Sequence, residues 1–196
     1  MLFADKKSNL FLTLSLIAAI FCTAASAQAD GDSKKSMTGI WFTASPASWI
    51  VQTEVGAYSG ATSMRWELEE DANGMISGFN IWYSPSVSGG PGTRGAMCMV
   101  GARDGSRVVI TESSVQDRLL PTFEFTCTHR KGRHARCLGA GFSDQPPVAL
   151  RGGMTRVKDP AERDTNLPGW VIGEVRDFCS GLSPHMPTVV DPSEYP

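Results

Sequence analysis

Apolar and polar residues alternate along most of this chain in short runs separated by turn residues, most clearly from Met64 to Tyr83. The Asn73-Gly74 pair suits a two-residue type I′ hairpin turn, whose central residues both have positive φ. That loop predicts Leu68 opposite Phe79, Trp66 opposite Ile81 and Met64 opposite Tyr83, all on one apolar face. Arg65 and Trp82, Glu67 and Asn80, and Glu69 and Gly78 then pair on the other face, where Trp82 is exposed. A one-residue slip would exchange the two faces.

A second hairpin is predicted with Asp104-Gly105 as its loop, setting Val100 opposite Val109, Met99 opposite Ile110 and Gly101 opposite Val108. Met97, Met99, Val108 and Ile110 share a face, and Cys98 points away from it. Further strand-like runs fall at Gly39–Thr43, Trp49–Val55, Ser63–Glu69, Met75–Tyr83, Gly95–Gly101 and Arg107–Glu112. Three more fall at Thr122–Thr128, His134–Gly141 and Val148–Val157, at spacings typical of all-β folds. Successive hairpins hide their edge strands by closing the sheet. The expected fold is an antiparallel up-and-down β-barrel of about eight strands over residues 39–158, with a two-sheet sandwich as the alternative.

Helical periodicity is confined to Pro168–Cys179, where Trp170, Val171, Val175 and Phe178 form a short amphipathic stripe behind a proline. A helix there would lean on the barrel exterior, with Trp82 as its landing point. Residues 159–196 thus form a C-terminal helix and a proline-rich tail.

At the other end, Lys6 and Lys7 precede an apolar run from Leu10 to Phe21 and a small-x-small pattern at Ala25-Ser26-Ala27. The run falls short of the ~20 residues of a spanning helix, so residues 1–27 read as a secretory signal peptide. Phe21 before Cys22 argues against a lipid-anchored cysteine. Residues 28–38 form a polar leader. The expected location is periplasmic or secreted. Loss of Asp5, Lys6 and Lys7 leaves 16 basic and 19 acidic residues, a balance that offers nothing to nucleic acid or an anionic membrane.

Four cysteines remain in the exported chain, an even number that reads as two disulfides with three possible connectivities. Cys127 and Cys137 flank Lys131-Gly132-Arg133, and a three-residue loop sets them opposite each other. Cys98 pairs with Cys179, tying the C-terminal segment to the sheet.

Gly39-Ile40-Trp41 on the first strand and Met154-Thr155-Arg156-Val157 on the last resemble the calycin barrels, the lipocalins and avidins. The resemblance implies structural roles for Gly39, Trp41 and Arg156: a basic residue of the closing strand covers the tryptophan of the opening one, a cation–π closure. Asp71–Gly78 is similar to an early avidin-type hairpin and Leu150–Val157 to the last avidin-type strand. Gly152, Thr43, Asn80 and Trp82 depart from the biotin-site pattern, so biotin binding is not implied, and the resemblance speaks for fold rather than function.

Candidate chemistry is sparse. Cys127, His129, His134 and Cys137 are zinc-ligand types, but opposing cysteines put His134 on the other sheet face, and no metal or cofactor is expected. Gly89–Gly95 lacks the Gly-Lys-Ser/Thr ending of a phosphate loop and reads as a loop at the barrel mouth. Ser180, His185 and Asp191 lack a nucleophile elbow, and Glu69 and Glu70 point to opposite strand faces. No enzyme is expected.

Met64, Trp66, Phe79, Ile81, Tyr83, Met99 and Phe125 form the expected inner set, which lines either a filled core or a small apolar pocket. The functional reading is a binding module for a small apolar ligand, with Trp66 and Tyr83 as anchors. The alternative is an envelope interaction protein or inhibitor that engages a protein partner through Trp82 or the basic Arg130–Arg136 tip.

Overall fold

The computed structural model describes residues 36–86, 92–115, 117–130, 133–141, 147–158 and 171–188, with side chains for all but 117–122. The expected signal peptide, most of the leader, Trp170, Asp191 and Gly89–Pro91 lie outside these residues, while Thr93–Gly95 of the expected mouth loop belong to a strand.

The described residues form nine strands: β1 (Gly39–Thr43), β2 (Ala47–Thr53), β3 (Gly56–Glu70), β4 (Met75–Ser84), β5 (Thr93–Asp104), β6 (Arg107–Ser114), β7 (Asp117–His129), β8 (His134–Gly141) and β9 (Val148–Arg156). Each pairs antiparallel with its neighbours, and β1 and β2 both pair with β3 on one side and β9 on the other. They are two halves of one wall position, divided at Ala44–Pro46. Nine strands therefore close an eight-position barrel, and the sandwich alternative falls.

The first hairpin corrects the expected register. Within the loop only Gly74 has positive φ (78°), and among the described residues none other than glycine does. The Asp71 amide donates to the Met75 carbonyl and the Gly74 amide to the Asp71 carbonyl. The Asp71 carboxylate also accepts from the amides of Asn73 and Met75, at 2.8 and 2.9 Å. Those backbone bonds, Met75 first, hold its pKa below the usual carboxylate value. This is a three-residue loop ending in a left-handed glycine, not a type I′ turn. One extra loop residue slides the ladder by one, so Trp66 opposes Asn80, Leu68 opposes Gly78 and Met64 opposes Trp82. The faces of β4 are thereby exchanged. Asn80 and Trp82 turn inward, while Phe79 and Ile81 turn outward.

In the second hairpin Asp104 pairs with Arg107, leaving Gly105-Ser106 as the loop. The expected register is displaced by two residues, an even number, and every side chain stays on its expected face. Met99, Val108 and Ile110 are buried in the inner core, with Met97 almost as enclosed. The third hairpin has the expected register, with Cys127 opposite Cys137.

The end carrying these three hairpin loops is closed. Met37 is fully buried there; its carbonyl accepts the Trp41 indole N–H at 2.8 Å, and its amide donates to Glu70. Arg103 completes this floor by pairing with Glu70. Trp41 faces Arg156 in the β1–β9 register, and the guanidinium stands 5.7 Å from the indole centre while bonding the Thr38 carbonyl. Above them Trp66 meets Phe125 edge-on at 4.9 Å. The Cys127–Cys137 disulfide is buried in the same layer.

Helix α1 (Ile172–Cys179) packs on the outside of β4 and β5. Its buried Ile172, Val175 and Phe178 meet Phe79, Ile81 and Ala96. Val171 caps the helix and is exposed, and the landing point is Phe79 and Ile81, not Trp82. Arg176 makes two bonds to the Glu67 carboxylate, at 2.8 and 3.0 Å, and a Cys98–Cys179 disulfide fixes the helix end. No helix among the described residues is long and apolar enough to cross a membrane.

Candidate functional site: a cavity in the upper barrel

The inner set does not fill the barrel. Above the Trp66 layer a cavity of about 660 Å³ opens toward the end carrying the β4–β5 and β8–β9 loops. Its walls are Trp49, Trp82, Met64, Met97, Phe123 and Phe125, with Val51, Val148 and Leu150 nearer β9. Thr62, Ser84 and Thr93 add hydroxyls; that of Thr62 donates to the Tyr83 carbonyl at 3.0 Å.

Room for the aromatic rings comes from glycines directly opposite them. Trp49 pairs with Gly60, Trp82 with Gly95 and Phe125 with Gly139. A Cβ on these glycines would stand 2.4, 2.6 and 2.8 Å from the facing ring, respectively. Each large side chain thus lies across a neighbour that has none, which leaves the centre of the barrel open.

One polar pair interrupts the apolar wall. Asn80 on β4 donates through Nδ2 to Oε1 of Glu112 on β6 at 2.9 Å, and their exposures are 1% and 3%. The Asn80 Oδ1 is buried without a hydrogen-bond partner. Burial pushes the Glu112 carboxyl up to about 8, the Asn80 bond only partly opposing it. At neutral pH the group is mainly protonated, because a charge in this setting loses its hydration.

Of the expected ligand contacts, Met64 and Phe125 line the cavity. Trp66 and Met99 sit beneath it in the packed core. Phe79 and Ile81 are corrected: the odd loop places them outside the barrel, under α1. Tyr83, on the same outward parity, is half-buried and does not line the cavity. Trp49, Asn80, Glu112 and Phe123 are absent from the expected site, and Trp82, expected on the outer face as a partner contact, lines the cavity instead. An asparagine–glutamate contact 32 positions apart leaves no local pattern. Trp82 was readable only through Asp71, whose side chain organises the longer loop.

The basic hairpin is split between faces. His129 is buried with its ring edge-on to Trp41 at 5.7 Å, while His134 is exposed and shares a 3.1 Å hydrogen bond with the Thr155 hydroxyl. Arg130 and Arg136 are exposed. The described residues contain no cluster of three metal-ligating side chains. The Ser180 hydroxyl donates to the Asp177 carbonyl.

No protein-family model and no curated protein matches this sequence. Among solved structures, the chain is similar at 8% identity and a TM-score of 0.35 to Ex-FABP, a siderocalin described as functioning through dual ligand specificities. That match covers 64% of this chain and 78% of the siderocalin. In the barrel's closure Arg156 of the last strand covers Trp41 of the first, as the resemblance drawn from the sequence implies.

Proposed function

We propose that this protein is an exported, non-enzymatic binding module that holds one small, mainly apolar ligand in the upper half of its barrel. The observation that carries the reading is the cavity itself. Its volume falls within the ~300–1,000 Å³ of small-molecule sites, and its apolar wall encloses one buried polar pair. The contacts are Met64 and Phe125, joined by Trp49, Trp82, Met97 and Phe123. Export to the periplasm or beyond is supported by the leader pattern and by the two disulfides, which persist in oxidising compartments.

The interaction-protein alternative has lost one support, because Trp82 faces the cavity and does not present an aromatic anchor to a partner. Native mass spectrometry of the protein recovered from its source, with tryptophan-fluorescence titration against apolar amphiphiles, tests the binding reading. A retained small molecule or saturable quenching supports it. Absence of both across the panel overturns it.

A further inference from the structure

Resting on the binding-module reading, we infer that the ligand carries an ammonium head that docks on the Asn80–Glu112 pair, with its apolar body directed toward the barrel mouth. Asn80 spends its amide N–H on Glu112 and keeps an unpartnered, buried Oδ1 on the cavity wall. Beside it stand the oxygens of Glu112. The Asn80 oxygen is an acceptor, and Glu112 becomes acceptor-only once it gives up its proton, so the complementary ligand brings donors and a positive charge. Glu112 is the one ionisable side chain among the described residues lining the cavity.

Aromatic faces strengthen the same preference. Trp82 stands two residues along from Asn80 on the inner side of β4, and Phe123 is paired directly opposite Glu112. Ring faces within reach of a desolvated cation attract it. A carboxylate head would meet the Asn80 Oδ1 acceptor against acceptor, with the Glu112 proton as its one donor there and no cation on the described wall to receive its charge.

Proton balance gives the inference a distinctive readout. The empty site holds Glu112 mainly protonated at pH 7. When R–NH₃⁺ enters, Glu112 releases that proton to solvent and the carboxylate pairs with the ammonium. Below about pH 8 the affinity of such a ligand therefore rises by up to about tenfold per pH unit, then levels off. The flanking strands put Met99 and Phe123 opposite Glu112. The other ionisable groups toward the barrel interior stand at its closed end: His129 against Trp41, Arg103 with Glu70, and Arg156 over Trp41.

The test compares dodecylamine, dodecanol and dodecanoate, three heads on one chain, by calorimetry on the delipidated protein at pH 6.5, 7.5 and 8.5. Dodecylamine is expected to bind at least about tenfold tighter than dodecanoate, and to gain affinity steeply between pH 6.5 and 7.5. Close to one proton should be released per amine bound at pH 7, read from two buffers of different ionisation heat. Glu112→Gln should abolish the amine's pH dependence and its proton release. Equal affinities, a preference for dodecanoate, or amine binding without proton release overturns the inference and leaves the binding module standing. Failure of all three compounds to bind overturns the binding reading as well. The proton count uses the unaltered protein, so it decides the matter even if the variant fails to fold.

Discussion

The indole of Trp82 lies across Gly95 on the next strand, so close that a methyl group there would stand 2.6 Å from the ring. The wall of the cavity depends on that vacancy. Gly95→Val should displace Trp82, costing roughly 1–3 kcal/mol as overpacking usually does, and should shrink the cavity. Gly173→Ala is the contrast, since nothing lies within 4 Å of that helical position. It should stabilise by about 0.5 kcal/mol through reduced backbone freedom. Urea unfolding of both variants checks the pair of signs.

Glu112 makes stability fall as pH rises. Its carboxyl sits near the ordinary 4.5 in the unfolded chain and at about 8 in the folded one, so between these values the folded state binds the extra proton. The protein should lose stability across that window, by an amount on the order of a few kcal/mol, and show no further loss from this group above it. Glu112→Gln should flatten this slope. The difference in urea midpoint between parent and variant, at pH 5 and at pH 8.5, isolates it from other titrations.

The Asp71–Gly74 loop makes unequal demands on Asn73 and Gly74. Gly74 has φ of 78°, and its absent Cβ would lie 3.2 Å from the Arg103 carbonyl. Gly74→Ala should cost about 1 kcal/mol or more. Asn73 has no positive φ, so Asn73→Ala should change stability by less than about 0.5 kcal/mol. Comparable losses from both would indicate a type I′ turn and restore the other register.

Removing the Cys98–Cys179 bridge should loosen α1 more than the barrel. The double serine variant should lose about 2–4 kcal/mol. Amide exchange should accelerate over Ile172–Cys179 while the β7–β8 ladder stays protected.

Architecture was legible in the letters because alternation and turn residues act locally. The pairing of Cys127 with Cys137 was fixed by a three-residue loop, and the inner position of Met99 and Ile110 survived a misplaced turn because the error was two residues. The β3–β4 error was a single residue, and one is enough to turn a strand over. It moved Phe79 and Ile81 out of the expected pocket and brought Asn80 and Trp82 in. The polar pair was invisible for another reason. Asn80 and Glu112 meet across the intervening β5, and only closure of the sheet decides that both look inward.

Both sides of β4 are shielded: Asn80 and Trp82 look onto the cavity, Phe79 and Ile81 lie under the helix. Among the described residues no other helix covers the outside of the wall, so its protection is uneven around the circumference. The sheltered quarter will surrender its deuterium last, and any ligand that steadies Asn80 will be felt there as a further slowing of exchange.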